Sequence, residues 1–396
     1  MASFTYHQIG NIADRLQNQL VEVRRKLHQH PELSWNEFQT SSTIKQVLEQ
    51  SGISVSSPLA GTGFYCDIIG NGPGKTVAYR ADIDALPIQD MKDVPYASSC
   101  PGIGHMCGHD YHASVALGVA LALNDLRSEF SGVVRVFWQP AEESTPSGAP
   151  KMIEDGILDG VDAVFGIHCD PHLDAGKLGI RKGSLTGSFD AFEIEVRVSE
   201  SLHSARPYLG TDAMWVAHQL MQQMYMLSTR ITDARRPSVI SVCTFNGGNA
   251  INVIPDRVSF SGTIRTSDPV SRKKLGERVR AICSGMAEIH NAEITCSILG
   301  GAPPVINDDS LFEFAESALH EILNESDITY PEQSMGAEDF AYYGEIIPSF
   351  FMRVGTSNGP ATSHALHTAL FDVDESTLKL AVSSQSWLLL KYLQNG

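Results

Sequence analysis

Apolar residues recur at three- and four-residue steps near the start of the chain. Ile9, Ile12, Leu16, Leu20, Val23 and Leu27 fall on one stripe, and the spacing predicts an amphipathic helix over 8–30 that Pro31 ends. A second helical stripe covers 37–50 and closes at Gly52. Beyond it, short apolar runs alternate with helical patterns. Residues 76–80, 133–138 and 161–167 read as strands, and 113–126 as an apolar helix. This alternation predicts an α/β layer with a mostly parallel sheet. In such sheets ligands collect beyond the carboxyl ends of the strands. Polar residues cluster there: Asp82 and Asp84 after the first strand, Gln139-Pro140-Ala141-Glu142-Glu143 after the second, and His168 after the third.

The pattern changes near residue 185. Phe192-Glu193-Ile194-Glu195-Val196-Arg197-Val198 alternates with a period of two, as a half-exposed antiparallel strand does. A helix over 211–227, strands over 239–245 and 257–265, a helix over 271–290 and a strand over 293–299 complete the order of a ferredoxin-like α+β unit. After Pro303-Pro304 come a helix at 311–323, a strand at 350–354 and a C-terminal helix at 376–393. The simplest division is a discontinuous α/β catalytic domain, 1–184 and 303–396, interrupted by a smaller domain at 185–302.

Composition narrows the function classes. The 396 residues are 42% hydrophobic and 19% charged, enough to build a core without metal or disulfide staples. Acidic residues outnumber basic ones 46 to 29, a formal charge of -17, which argues against nucleic acid or an anionic membrane as partner. The seven cysteines are odd in number and irregularly spaced, as expected of reduced thiols in a cytoplasmic protein. The first residues lack the pattern of a signal peptide, and no stretch approaches the ~20 apolar residues of a membrane span.

The chemistry centres on Gly104-His105-Met106-Cys107-Gly108-His109-Asp110-Tyr111-His112, where three histidines, a cysteine and an aspartate fall within nine residues. Imidazole and thiolate hold transition metals at neutral pH, and Cys107 and His109 can face one ion. Glu142-Glu143 can supply one ligand and one base. His168 and, in Ser363-His364-Ala365-Leu366-His367-Thr368, two further histidines add to a donor set too large for one tetrahedral ion. A mixed N, S and O set of this size suits two ions with a bridging group. Such a centre, with a spare carboxylate, describes hydrolysis: a bridging water gives its proton to Glu142 and attacks a polarised carbonyl. His203, in Ser201-Leu202-His203-Ser204-Ala205-Arg206-Pro207, is a candidate donor to the resulting oxyanion.

These motifs resemble a metal-dependent amidohydrolase family, the group of hippurate hydrolase, bacterial N-acyl-amino-acid deacylases and plant auxin-conjugate hydrolases within the aminoacylase/carboxypeptidase clan. The resemblance runs nearly the length of the chain. It rests on Arg24-Arg25-Lys26-Leu27-His28-Gln29-His30-Pro31-Glu32-Leu33, Arg80-Ala81-Asp82-Ile83-Asp84-Ala85-Leu86-Pro87, Cys-Gly-His-Asp at 107–110, Gln-Pro-Ala-Glu-Glu at 139–143 and Gly166-Ile167-His168. Asn252-Val253-Ile254-Pro255, Gly262-Thr263-Ile264-Arg265 and Glu338-Asp339-Phe340 also match. The resemblance implies Cys107, His109, Glu143, His168 and His367 as ligands of two divalent ions (Mn or Zn, with Co and Ni as alternatives) and Glu142 as general base. His367, before Phe371-Asp372, fits the last ligand better than His364. Asp84 would support a ligand, and Asn252 and Arg265 would hold a substrate carboxylate. His203 would complete a neighbouring subunit's site in a homodimer formed through an inserted α+β lid. The implied reaction is hydrolysis of an N-acetyl or N-aroyl amino acid, with a dipeptidase or carboxypeptidase as the alternative enzyme and a non-catalytic binding protein as the remaining class. The chain departs from the family where Arg197-Val198-Ser199-Glu200-Ser201-Leu202 replaces a Gly-rich run before His203.

Overall fold

Thr5 starts the first helix, α1 (Tyr6–Gln29): its hydroxyl accepts from the Gln8 amide while the Gln8 side chain accepts from the Thr5 amide. The computed structural model describes residues 5–395 and divides into two units. The first gathers the described residues up to Gly183, then 306–332, then those from Asp339 onward; the second holds 184–305 and 333–338. The sequence-based division had placed 333–338 with the catalytic domain, but the chain makes a short return to the second unit there. Gly187 N–H donates to the Gly336 carbonyl, and Ser334 N–H to that of Leu185.

The first unit continues with α2 (Phe38–Gln50), β1 (Phe64–Ile69), β2 (Thr76–Asp82), α3 (His109–Asp125), β3 (Val133–Gln139), α4 (Gly148–Glu154) and β4 (Ala163–Asp174). The second unit supplies β5 (Asp190–Arg197), α5 (Ala213–Arg230), β6 (Ser238–Gly247), β7 (Arg257–Thr266), α6 (Pro269–His290) and β8 (Glu293–Gly300). The chain then adds α7 (Asp309–His320), α8 (Ala341–Gly344), β9 (Ser349–Ser357) and α9 (Leu378–Gln394) to the first unit. Its sheet runs β1, β3, β2, β4, β9, followed by the short strands Leu178–Gly179 and Ile328–Thr329. β3, β2, β4 and β9 are mutually parallel, and β1 lies antiparallel on β3, so the sheet is mixed but mostly parallel.

α3 is buried along its length from His109 to Leu123. Small residues let its neighbours close on it. A Cβ on Gly118 would lie 2.5 Å from Val382 of α9 and 2.8 Å from Leu20 of α1. The apolar periodicity marks this helix only from residue 113, but it starts at His109. Gly108 sets that start: its φ is +84°, and a Cβ there would sit 2.4 Å from the Cys169 sulfur. His109-Asp110-Tyr111-His112 is therefore the first helical turn, with Asp110 where the helix dipole favours an acid. β4 also differs from expectation. It runs on to Asp174, paired with β9 to Asp170 and, after a register shift, again at Asp174, so His168 lies inside the strand rather than at its end.

The second unit has an antiparallel sheet in the order β8, β5, β7, β6. Phe192, Ile194 and Val196 of β5 face α5 and α6, where Val216, Leu220, Leu275 and Val279 pack on them. Each such burial contributes ~1.5–3 kcal/mol, which fixes the register of the alternating strand. Among the described residues, no helix is long and apolar enough to cross a membrane.

Candidate metal centre

Four local features aim side chains at one place beyond the carboxyl ends of β2 and β3, beside His168 within β4. Asp82 ends β2, and Asp84 follows it. Gly108 turns the chain so that Cys107 precedes α3 and His109 begins it. β3 leads through Pro140 and Ala141 to Glu142-Glu143. His367 arrives from the segment before α9. Ala141 and His367 both adopt left-handed backbone, with φ of 56° and 62°. That costs ~1–3 kcal/mol each and persists only where the surroundings hold it. Here Ala141 N–H donates to Glu37 Oε1 at 2.9 Å, and His367 N–H to the Met106 carbonyl at 2.7 Å.

The five expected ligands converge. Cys107 Sγ lies 3.4 Å from His168 Nε2 and 3.3 Å from His367 Nε2. Glu143 Oε1 lies 3.1 Å from His367 Nε2 and 4.0 Å from His109 Nε2. Cys107, His109 and His168 form one group whose donor atoms lie within 4.8 Å of one another, and Cys107, Glu143 and His367 form a second. Cys107 belongs to both, and Glu143 and His109 also recur in a further group with Glu142, so the donors form one continuous cluster. One oxygen of Glu142 accepts from the Asp339 amide at 3.4 Å.

Hydrogen bonds set the tautomers. His168 Nδ1 faces the Cys169 carbonyl at 2.7 Å and must donate to it, which leaves the Nε2 lone pair towards Cys107. His109 Nδ1 lies 3.1 Å from Asp84 Oδ1, so Nε2 again faces the cluster. Asp84 Oδ2 accepts from Ser34 Oγ at 2.7 Å and from the Glu143 amide at 3.0 Å. One carboxylate thus orients a histidine and a glutamate together.

The electrostatics call for a cation. His109 is pushed up to about 10: burial acts downward and is the largest influence, but Asp82, Asp84 and Glu143 together outweigh it. Burial, then Glu143 and Glu142, holds the Cys107 thiol well above its ordinary range. Burial and the neighbouring His112 push His168 well down, so it stays neutral. His109 Nε2 and Glu143 Oε1 are buried without a hydrogen-bond partner; the contact of Glu143 with His367 is close but poorly directed. A buried thiol, three imidazoles and a carboxylate with lone pairs unspent fit divalent ions of the Mn, Zn, Co or Ni kind.

Sequence reasoning put Asp82 and His112 near the centre without naming their contacts and gave Arg80 no role of its own. His112 donates from Nδ1 to Asp82 Oδ1 at 2.7 Å and accepts from the Cys169 amide at 2.9 Å, which pins α3 to β2 and β4. Asp82 also lies 3.6 Å from His109 Nε2. Arg80 holds Asp82 at 2.6 Å and Asp339 at 2.7 Å. A charged residue inside an apolar strand, as Arg80 is, was the signal available.

His203, Asn252 and Arg265 belong to the second unit. His203 pairs with Val253 across two short strands, and Ser204 N–H donates to the Asn252 carbonyl at 3.0 Å, so His203 and Asn252 are neighbours. His203 Nδ1 accepts from the Ala205 amide at 3.1 Å, which puts the ring proton on the exposed Nε2. Arg265 donates to the Met335 carbonyl at 2.9 Å and stacks 5.1 Å from the centre of Phe189. It forms no ion pair among the described residues.

A family model described as peptidase family M20/M25/M40 matches residues 78–388. An N-acetylcysteine deacetylase of Bacillus subtilis (strain 168) is 38% identical over 363 residues, 91% of this chain and 93% of that protein. Thermostable carboxypeptidase 2 of Saccharolobus solfataricus is 34% identical over 389 residues, 97% of this chain and 98% of that one. A Bacillus subtilis protein whose crystal structure is described as a dinuclear metal binding peptidase matches at a TM-score of 0.84 and 34% identity, over 96% of this chain and 99% of that one.

Proposed function

The chain belongs to peptidase family M20/M25/M40 and to its metal-dependent amidohydrolases, and on that premise we propose that it hydrolyses the amide of N-acetyl or N-aroyl amino acids. The observation that carries this reading is the convergence of Cys107, His109, Glu143, His168 and His367 beside Glu142, with His109 Nε2 and Glu143 Oε1 unsatisfied. Two divalent ions held there would acidify a water and polarise the scissile carbonyl. Glu142 takes the proton of the attacking water and passes it to the departing amine nitrogen. Asp84 keeps His109 and Glu143 in register for their work.

The specificity groups lie in the second unit, which acts as a lid in this reading. The Arg265 guanidinium, without a carboxylate partner among the described residues, suits the α-carboxylate of an amino-acid product, with Asn252 as a second donor. The exposed Nε2–H of His203 suits the oxyanion. A homodimer formed through the second unit would carry His203 to the partner's centre. An open sheet edge supports this: among the described residues β6 pairs on one side only, and Phe245 and Val239 on it are exposed. The carboxypeptidase relative keeps a peptidase on this scaffold as the second reading.

The test is a turnover screen of N-acetyl, N-benzoyl and dipeptide substrates with each metal added back, on wild type and Glu142→Gln. Hydrolysis of the N-acyl amino acids, lost by at least about 100-fold in the variant with its metal retained, is the expected result. Full activity in the variant would remove Glu142 as the base.

A further inference from the structure

The motif Arg24-Arg25-Lys26-Leu27-His28 forms the last turns of α1 and supplies no ligand to the proposed centre. Arg24 and His28 are nonetheless fully buried. Arg24 Nε lies 2.7 Å from Asp110 Oδ2, Nη2 2.7 Å from Asp372 Oδ1 and Nη1 3.3 Å from Glu375 Oε1. His28 Nδ1 lies 2.7 Å from the same Asp110 oxygen, and its Nε2 3.2 Å from Asp90. Tyr96 O–H donates to Asp372 at 2.9 Å. A guanidinium removed from water needs compensating charge, and three carboxylates surround this one: Nη2 and Nη1 donate to Asp372 and Glu375, while Nε meets Asp110 as an ion pair without a well-directed hydrogen bond.

The two carboxylates nearest to it are not placed at random along the chain. Asp110 directly follows His109, in the helical turn that Cys107 leads into. Asp372 closes the segment that begins at His367. The His367 side chain is 50% exposed and its backbone is left-handed. The segment's anchors are the Met106 carbonyl, Phe371 packed against Gly108, the Met91 amide donating to the Ala369 carbonyl at 2.9 Å, and Asp372 on Arg24 and Tyr96. Arg24 is the member of this set that grips both sides at once, with a planar fork no other side chain reproduces.

We infer that Arg24 is a positioning residue for the two-ion centre: its guanidinium sets the spacing between the Cys107–His109 side and the His367 side. This rests on the two-ion reading proposed above.

The test uses the full chain as Arg24→Lys and as Asp372→Asn, the second retaining the shape of the site should the first fail to fold. Each is stripped with chelator and titrated with Mn2+ and with Zn2+. Bound ions are counted by elemental analysis, and Tm is measured with and without metal. Wild type should bind two ions. The variants should keep one with near-native affinity and bind the other at least about tenfold more weakly, with a smaller rise in Tm on metal addition. Two ions bound with native affinity, with Tm lowered equally in metal-free and loaded protein, would make Arg24 a fold staple and overturn the inference. A wild type that binds no second ion would overturn the two-ion reading first and this inference with it.

Discussion

Asp84→Asn tests the centre without touching a ligand. The carboxylate satisfies three donors: His109 Nδ1 at 3.1 Å, Ser34 Oγ at 2.7 Å and the Glu143 amide at 3.0 Å. An asparagine of the same shape has one acceptor oxygen. If that oxygen faces Glu143, the amide NH2 meets His109 Nδ1, and the imidazole must move its proton to Nε2, the atom that would hold metal. If the oxygen faces His109, two N–H groups meet at Glu143 instead. Either way one charge-assisted hydrogen bond is lost, worth ~1.5–3 kcal/mol. Since ~1.4 kcal/mol is a factor of ten, metal affinity should fall about 10- to 100-fold, the range for partners that orient ligating histidines. Competition against a chromophoric chelator reads the affinity, and circular dichroism checks the fold. A folded variant with the wild-type Kd for both ions would refute the argument that Asp84 sets the His109 tautomer.

Three further outcomes follow from the geometry. His109 is raised to about 10 from an ordinary 6.5, so its proton stabilises the metal-free protein fully below about pH 6.5 and is lost as pH climbs towards 10; Tm of stripped protein should fall across that window, and a flat profile would contradict the assignment. Gly108→Ala combines a φ of +84° with a Cβ 2.4 Å from Cys169 Sγ, and urea denaturation should register a loss of about 2 kcal/mol or more; an unchanged midpoint would mean the turn relaxes freely. Phe245→Glu, on the open edge of β6, should convert the proposed dimer to monomer by sedimentation, while an unaltered mass would clear that edge of any role in assembly.

The legible parts of this protein were those written locally. Cys107, Gly108 and His109 are adjacent in sequence, and the alternation of Phe192, Ile194 and Val196 is a property of eight residues. Element edges inside the centre were less legible. Apolar periodicity marked α3 from 113 because the first turn trades hydrophobic burial for hydrogen bonds to Asp82 and Asp84 and an ion pair with Arg24. β4 was cut short at 167 because His168, Asp170 and His172 break an apolar run that the pairing with β9 carries past them. Least legible were the ionic contacts. Arg24 and Asp372 lie 348 positions apart, and nothing in either neighbourhood names the other. The same holds for Arg80 and Asp339, 259 positions apart. Burial without a periodic reason, an Arg in a strand or on an apolar helix face, is the signal that remains.

The divided first unit bears on how the protein is made. Ribosomes deliver Cys107, His109, Glu143 and His168 well before His367, and deliver β9, which pairs with β4, and α9, which packs on α1 and α3, last of all. Until the final stretch emerges, α3 has lost one of its covering helices, and Val115, Leu117, Val119 and Leu121 belong to a core that cannot yet close. A nascent chain stalled before the final stretch therefore leaves this core with exposed apolar surface, the kind of intermediate that chaperones bind and that aggregates at high expression. Slower synthesis at low temperature, rather than added solubility tags, is the condition under which this order of events does the least harm.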